Sequence, residues 1–386
     1  MNSVATLSEI ADQLLRLARR DRAQAAARLN ALDENAQVGI ICEAPVARRA
    51  ELLGMLDSPE GVVPLLPEAE LCFTAKAIGL HDAGWLLGMA TPEQWVACLD
   101  LDSWNERGPD PEKFSEWMVA LVDAGEKAAL RVSHEIDPEL IYLWLADRID
   151  VVMKTEDGEE EVPDAAQSLD GQFYYAARHE KDDLAEITTF LRVLFQKDYW
   201  RYFRMLQSVS WELPTENMEW ARRWREGRLQ DLGFPDEETA LSIYALIPEH
   251  TWDEIPEEYE IGAWTLPVWM PQLPELPDET PSLLRALLEL DDEGRRAALY
   301  RLIALANRVA VADQLPLGDA ETVPAALYKA LRVGSIGLEY VATRRGLSHL
   351  EVARRTSLTH LFRVGANLDR GVIPERRAED EEREEE

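Results

Sequence analysis

Apolar positions recur along most of the chain at the three- and four-residue spacing of amphipathic helices. Leu7, Ile10, Leu14 and Leu17 fall on one helix face, with Arg16, Arg19 and Arg20 where cations meet the negative end of the helix dipole. The same spacing predicts helices over 21–32 and 33–44, after which Pro45 restarts the chain into 46–56. Beyond that point one device repeats. Pro59-Glu60, Pro67-Glu68, Pro92-Glu93, Pro111-Glu112 and Pro138-Glu139 each read as a helix start. Proline suits the first helical position, where its missing N–H costs nothing, and the glutamate faces the positive end of the dipole. Thr91-Pro92-Glu93-Gln94 adds a capping-box pattern, and Asp110 and Asp137 stand as N-caps before their prolines. These starts predict short helices over 67–78, 82–89, 92–99, 111–122, 126–135 and 138–153, at irregular spacing.

The segment 155–164 interrupts this pattern with six acids, a glycine and a proline, and reads as a loop and boundary. Gln172–Arg178 has the aromatic content of a short strand. Helices resume over 182–196, 198–209, 215–232 and 239–247. Prolines 267, 271, 274, 277 and 281 make 266–281 an extended linker or strap. Ala- and Leu-rich helices are predicted over 282–290, 293–312, 319–344 and 347–370. The expected fold class is all-α, an irregular superhelix of short helical hairpins followed by a helical C-terminal bundle, with at most a minor strand or hairpin near 150–178. The corresponding domains are 1–154, 171–265 and 282–372, with the strap at 266–281 between the last two and a disordered acidic tail at 373–386.

Charge narrows the function. Forty Lys and Arg face 73 Asp and Glu, a net charge of −33. Residues 375–386 carry eight of those acids and three of the arginines, so the excess belongs to the body of the chain. A nucleic-acid binder needs a basic surface to neutralise phosphate, and an anionic membrane repels such a chain. No stretch approaches a membrane span, since the best, 138–152, is broken by Glu139, Asp147, Arg148 and Asp150. The first 20 residues lack the continuous apolar run of a signal peptide. Cys42, Cys72 and Cys98 form no close pair and read as buried structural thiols. A cytoplasmic location is expected.

Two stretches carry a family resemblance. One runs from Ile78-Gly79-Leu80-His81-Asp82-Ala83 through Thr91–Trp95 to Leu99-Asp100-Leu101-Asp102-Ser103-Trp104. The other is Trp224-Arg225-Glu226-Gly227-Arg228-Leu229, followed by Asp231–Pro235 and Glu238–Leu241. Together they resemble an uncharacterised bacterial family known only as a domain of unknown function. That resemblance implies no activity and no site residues. Leu65–Leu101 is also similar to the cytosolic N-terminal domain of MgtE-type magnesium channels, which implies a superhelix of short helices and, without membrane spans, no transport.

Known chemical motifs are missing. His179-Glu180 lacks the second histidine of a zinc-protease helix, and His349 and His360 sit three turns apart on one predicted helix face, about 16 Å from each other. No phosphate-binding glycine loop and no Gly-x-Ser-x-Gly elbow is present. The acidic run Glu156–Glu161 has the wrong length and spacing for a calcium loop, so no specific divalent-cation site and no cofactor are expected. The unusual local feature is arginine interleaved with aromatics, Tyr199–Arg204 and then Trp220–Arg228. Such residues can clamp carboxylates or phosphates, and equally can snorkel and pair internally. Trp224, Arg225, Arg228 and Arg222 are the candidate partner- or anion-binding residues, with the acidic segment 253–260 as a candidate internal partner. The function expected is a non-enzymatic cytoplasmic helical scaffold or adaptor that holds a protein partner in grooves between helices. Two alternatives stay open: an enzyme using carboxylates and arginines in an all-helical cleft, and a cytosolic magnesium-sensing domain.

Overall fold

The computed structural model describes residues 6–105, 108–154, 162–163, 165–179, 184–211, 213–256 and 280–374. The acidic run at 156–161, nearly all of the proline strap and the tail at 375–386 lie outside the described residues. Within them the chain is mostly helical, with two small antiparallel hairpins. It divides into two compact units: the first runs to Arg228 and the second starts at Leu229, inside the helix Pro214–Asp231.

The first unit is built of short helices, and its local start signals act as chemistry requires. Thr91 and Gln94 form a reciprocal capping box on the helix Pro92–Asp102. Asp110 accepts from the Glu112 and Lys113 N–H groups, and Pro59, Pro92, Pro111 and Pro138 all sit in first turns. Every residue from Gln94 to Asp102 is buried, so this helix runs through the middle of the unit. Aromatic contacts connect the surrounding helices: Trp95 meets Trp117 edge-on with centroids 5.9 Å apart, Trp144 meets Phe190 edge-on at 5.9 Å, and Phe114 meets Trp144 at a tilt, at 6.2 Å. Arg49 is buried and joins three segments, bonding Glu70 Oε2 at 2.6 Å, the Cys42 carbonyl at 2.7 Å and the Ala44 carbonyl at 3.2 Å. Cys42, Cys72 and Cys98 are buried and form no disulfide.

Three expectations need correction. The helix predicted over 138–153 stops at Arg148, and Ile149–Met153 pairs antiparallel with Phe173–Ala177. The run Ile149-Asp150-Val151-Val152 is β-branched where it matters, and the facing strand supplies its ladder. A second hairpin, Trp104–Asn105 against Gly108–Pro109, was not expected; Gly108 there adopts φ +136°, open to glycine alone. In the second unit the helix predicted over 347–370 is two helices, His349–Arg355 and Leu358–Leu368. Thr356 leaves the first in an extended conformation, and the Ser357 hydroxyl caps the second by accepting from the His360 N–H. His349 and His360 therefore share no helix face.

The second unit centres on two helices that cross closely, Thr322–Arg345 and Leu358–Leu368. At the crossing, a Cβ on Gly337 would overlap the Leu361 carbonyl oxygen, and one on Gly365 would overlap the Val333 carbonyl oxygen. Each helix thus presents a glycine to the other's backbone. Asp292–Ala312 packs beside them. Asn367 bonds the Ala245 carbonyl at 3.2 Å and receives the Ile247 N–H at 3.3 Å, which fixes the short 3-10 segment before it. Asp313 takes the Tyr244 hydroxyl and Lys329 ammonium, both at 2.7 Å.

Candidate functional site

The helix Pro214–Asp231 divides its side chains sharply by face. Asn217 and Ala221 are buried, and Arg225 and Arg228 follow them on the same face. Both arginines meet the C-terminal end of the helix Pro92–Asp102. Arg228 Nε donates to Asp100 Oδ2 at 2.6 Å and its Nη2 to Asp100 Oδ1 at 2.9 Å. The other edge of the guanidinium holds Asp137, Nη1 to Oδ1 at 3.0 Å and Nη2 to Oδ2 at 2.8 Å. Arg225 Nε donates to the Asp100 carbonyl at 2.8 Å, and its guanidinium lies 4.9 Å from the centre of the Trp104 ring.

The electrostatics explain the arrangement. Asp100 and Asp102 end a helix with no basic residue in its last turn, so they meet the dipole at its unfavourable end. Asp100 is fully buried and Asp102 nearly so. Cations from other elements compensate them. Asp102 binds Lys76 Nζ at 2.6 Å and Lys113 Nζ at 3.4 Å through one oxygen, and the Trp117 indole N–H at 2.9 Å through the other. Burial pushes the Asp100 carboxyl up, against the pull of Arg228 and Arg225. Burial opposes charge on Arg228 too, but its bonds to Asp100 and Asp137 prevail and hold it above its ordinary value. Burial lowers Arg225 to about 10, against the attraction of Asp100.

Of the four candidate residues, Arg225 and Arg228 are thus bonded to this chain's own groups. Among the described residues their partners are Asp100 and Asp137. Asp253 is bonded to Arg345, at 3.2 Å, and 257–260 lies outside the described residues. Asp137 precedes its helix as expected but makes no side-chain cap, because its carboxylate is held by Arg228. Trp224 is half exposed and stacks on Trp220, centroids 6.4 Å apart and planes 26° from parallel. Arg222 is exposed, but two residues from Trp224 is about 200° around a helix, so the two occupy opposite flanks. Arg223 instead shares the tryptophan face, 5.7 Å from the centre of the Trp220 ring.

The sequence marked Tyr199–Arg204 as unusual but did not show which of its residues face outward or that Trp211 joins them. On the preceding helix, Tyr199–Trp211, positions 200, 204 and 211 fall on one face. Trp200 and Trp211 are 69% and 65% exposed there, with exposed Arg204 between them. The opposite face buries Tyr202, Met205 and Leu206, and Arg201 donates to the Ser133 carbonyl. The signal available was the polarity of the inner stripe's neighbours: a helix that already has one apolar face does not need two further tryptophans outside it.

A family model described as "Family of unknown function (DUF6178)" matches residues 26–376. The chain belongs to that family. The matched region takes in the Arg228 cluster and both tryptophan stripes. Neither a curated protein nor a solved structure matches the chain. No helix among the described residues is long and apolar enough to cross a membrane. No group of three His, Cys, Asp or Glu side chains among them is placed to hold a metal ion.

Proposed function

We propose that the protein is a non-enzymatic helical adaptor that docks an acidic segment of a partner protein on its outward tryptophan–arginine stripes. The supporting observation is the pattern Trp220-Arg223-Trp224, repeated in kind by Trp200-Arg204-Trp211 on the helix before it. Large aromatics this exposed, 48% and 51% for Trp220 and Trp224, keep apolar surface in water with no structural return. Rigid indoles beside guanidinium groups are the side chains that dominate protein interfaces, where each contributes broad contact at little entropic cost. Arg204 and Arg223 form no ion pair among the described residues, although carboxylates outnumber cations by 33 in this chain. Carboxylates of a partner are the natural local complement of these two guanidinium groups.

The enzyme alternative loses its most promising constellation. Arg228 holds the carboxylates of Asp100 and Asp137, and Arg225 Nε bonds the Asp100 carbonyl, which is the pattern of a structural staple. Selection of binders from a random displayed-peptide library tests the proposal. Enriched sequences should be acidic with apolar anchors, and should bind about tenfold or more weakly to a Trp220→Ala, Trp224→Ala variant. Enrichment of basic or purely apolar sequences, or equal binding to the variant, would refute it.

A further inference from the structure

A cavity of about 240 Å³ lies in the first unit between the helix Pro138–Arg148, the first turns of Pro111–Asp123 and the start of Pro214–Asp231. Its walls are apolar, formed chiefly by Phe114, Leu140, Leu143, Trp144 and Met218. Two side chains of opposite charge, Asp147 and Arg178, share this lining. They are 44% and 43% exposed, so both are reachable from water.

Neither charge cancels the other. Asp147 touches its chain neighbour Arg148, Nε to Oδ2 at 3.3 Å, which leaves Oδ1 open among the described residues. Arg178 donates from Nε and Nη2 to a single oxygen of Asp150, both at 2.9 Å. That contact fixes the guanidinium by one edge and leaves Nη1 open among the described residues. Asp147 also lies in the last turn of Pro138–Arg148, where the helix dipole adds negative potential and favours a cation. The indole N–H of Trp144 is buried in the wall and finds no acceptor among the described residues.

We infer that this cavity binds a free apolar α-amino acid. The ligand's side chain fills the space between Phe114, Leu140, Leu143 and Trp144. Its carboxylate meets the open nitrogen of Arg178, and its ammonium meets Asp147 and the helix end behind it. Size agrees with this chemistry. A cavity of ~150 Å³ accepts a benzene ring, so the larger space here admits one ring or a branched chain with its backbone atoms. A fatty acid would leave Asp147 facing a carboxylate, and a simple amine would leave Arg178 without a counter-charge.

The test is calorimetric titration of the full chain, with thermal shift as a second readout. The probes are L-phenylalanine and L-leucine, against 3-phenylpropionate and phenethylamine as single-charge analogues. The amino acids should bind saturably and raise the melting temperature by a few degrees. Each analogue should bind about tenfold or more weakly, as should Arg178→Gln and Asp147→Asn with the natural amino acids. Leu143→Phe, which fills the cavity without touching either charge, should abolish binding while the circular dichroism stays native. Absence of saturable binding by every apolar amino acid at millimolar concentration overturns the inference. So does equal binding of the acid, the amine and the amino acid, which would make the cavity an unselective apolar dent.

Discussion

Replacement of Arg228 by methionine should lower the stability of the first unit by about 3 kcal/mol. The substitution keeps most of the apolar stem and removes the guanidinium that holds Asp100 and Asp137. Removing one partner of a buried ion pair typically costs ~3–5 kcal/mol, because the remaining charge is left without compensation. The lower end applies here, since the Arg228 side chain is 30% exposed and water can replace part of it. Asp100, with a side chain 1% exposed, gains no such relief and dominates the loss. Asp100→Asn in the Arg228→Met background should therefore recover roughly 1 kcal/mol or more, because the stranded charge is gone. Urea denaturation followed by near-ultraviolet circular dichroism reads both changes. A loss below about 1 kcal/mol would match a solvated surface pair and would contradict the staple.

Gly337→Ala and Gly365→Ala should each destabilise the second unit by about 3 kcal/mol or more. In a solvated helix the same change stabilises by about 1 kcal/mol, since alanine is the better helix former. The sign reverses here because the new methyl group would overlap backbone, the Leu361 carbonyl at one site and the Val333 carbonyl at the other. A carbonyl oxygen bonded within its own helix cannot rotate aside as a side chain can. Relief requires the two helices to move apart, which opens gaps around Phe362, Leu338 and Val341. Thermal melting of each variant gives the result, and an unchanged or raised midpoint would mean the helices do not cross this closely. Gly227→Ala is the internal control: nothing lies within 4 Å of a Cβ there, so helix propensity alone acts and the variant should be slightly more stable.

Features legible in the sequence were those carried by neighbours three or four residues apart. The Thr91–Gln94 capping box and the Asp110 cap depend on nothing beyond their own turn, and both form as read. Legibility failed where a distant partner decides. Asp137 has every local mark of an N-cap, yet Arg228, 91 residues away, takes its carboxylate. Ile149–Met153 continues the apolar spacing of the helix before it, and only its pairing with Phe173–Ala177 makes it a strand. The division at Thr356-Ser357 carries no proline or glycine and depends on one hydroxyl cap. Gly337 and Gly365 look like isolated weak points of two helices until each is set against the other's backbone. At the candidate site, chain proximity misled in the same way. Arg222 and Trp224 are near neighbours in sequence and lie on opposite flanks, whereas Trp220, Arg223 and Trp224 share a face.

The adaptor reading is tested most directly by a photo-crosslinking amino acid at position 227, installed in the full chain and irradiated in native cells. Position 227 lies one turn beyond Trp224, on the tryptophan side of the helix, and a Cβ there meets nothing within 4 Å. The expected result is a discrete adduct whose crosslinked segment, identified by mass spectrometry, is rich in Asp and Glu. The adduct should disappear when Trp220→Ala and Trp224→Ala are introduced together, with the circular dichroism of the chain unchanged. A crosslinked segment of neutral or basic composition, an adduct that survives loss of both tryptophans, or no adduct above background would contradict it.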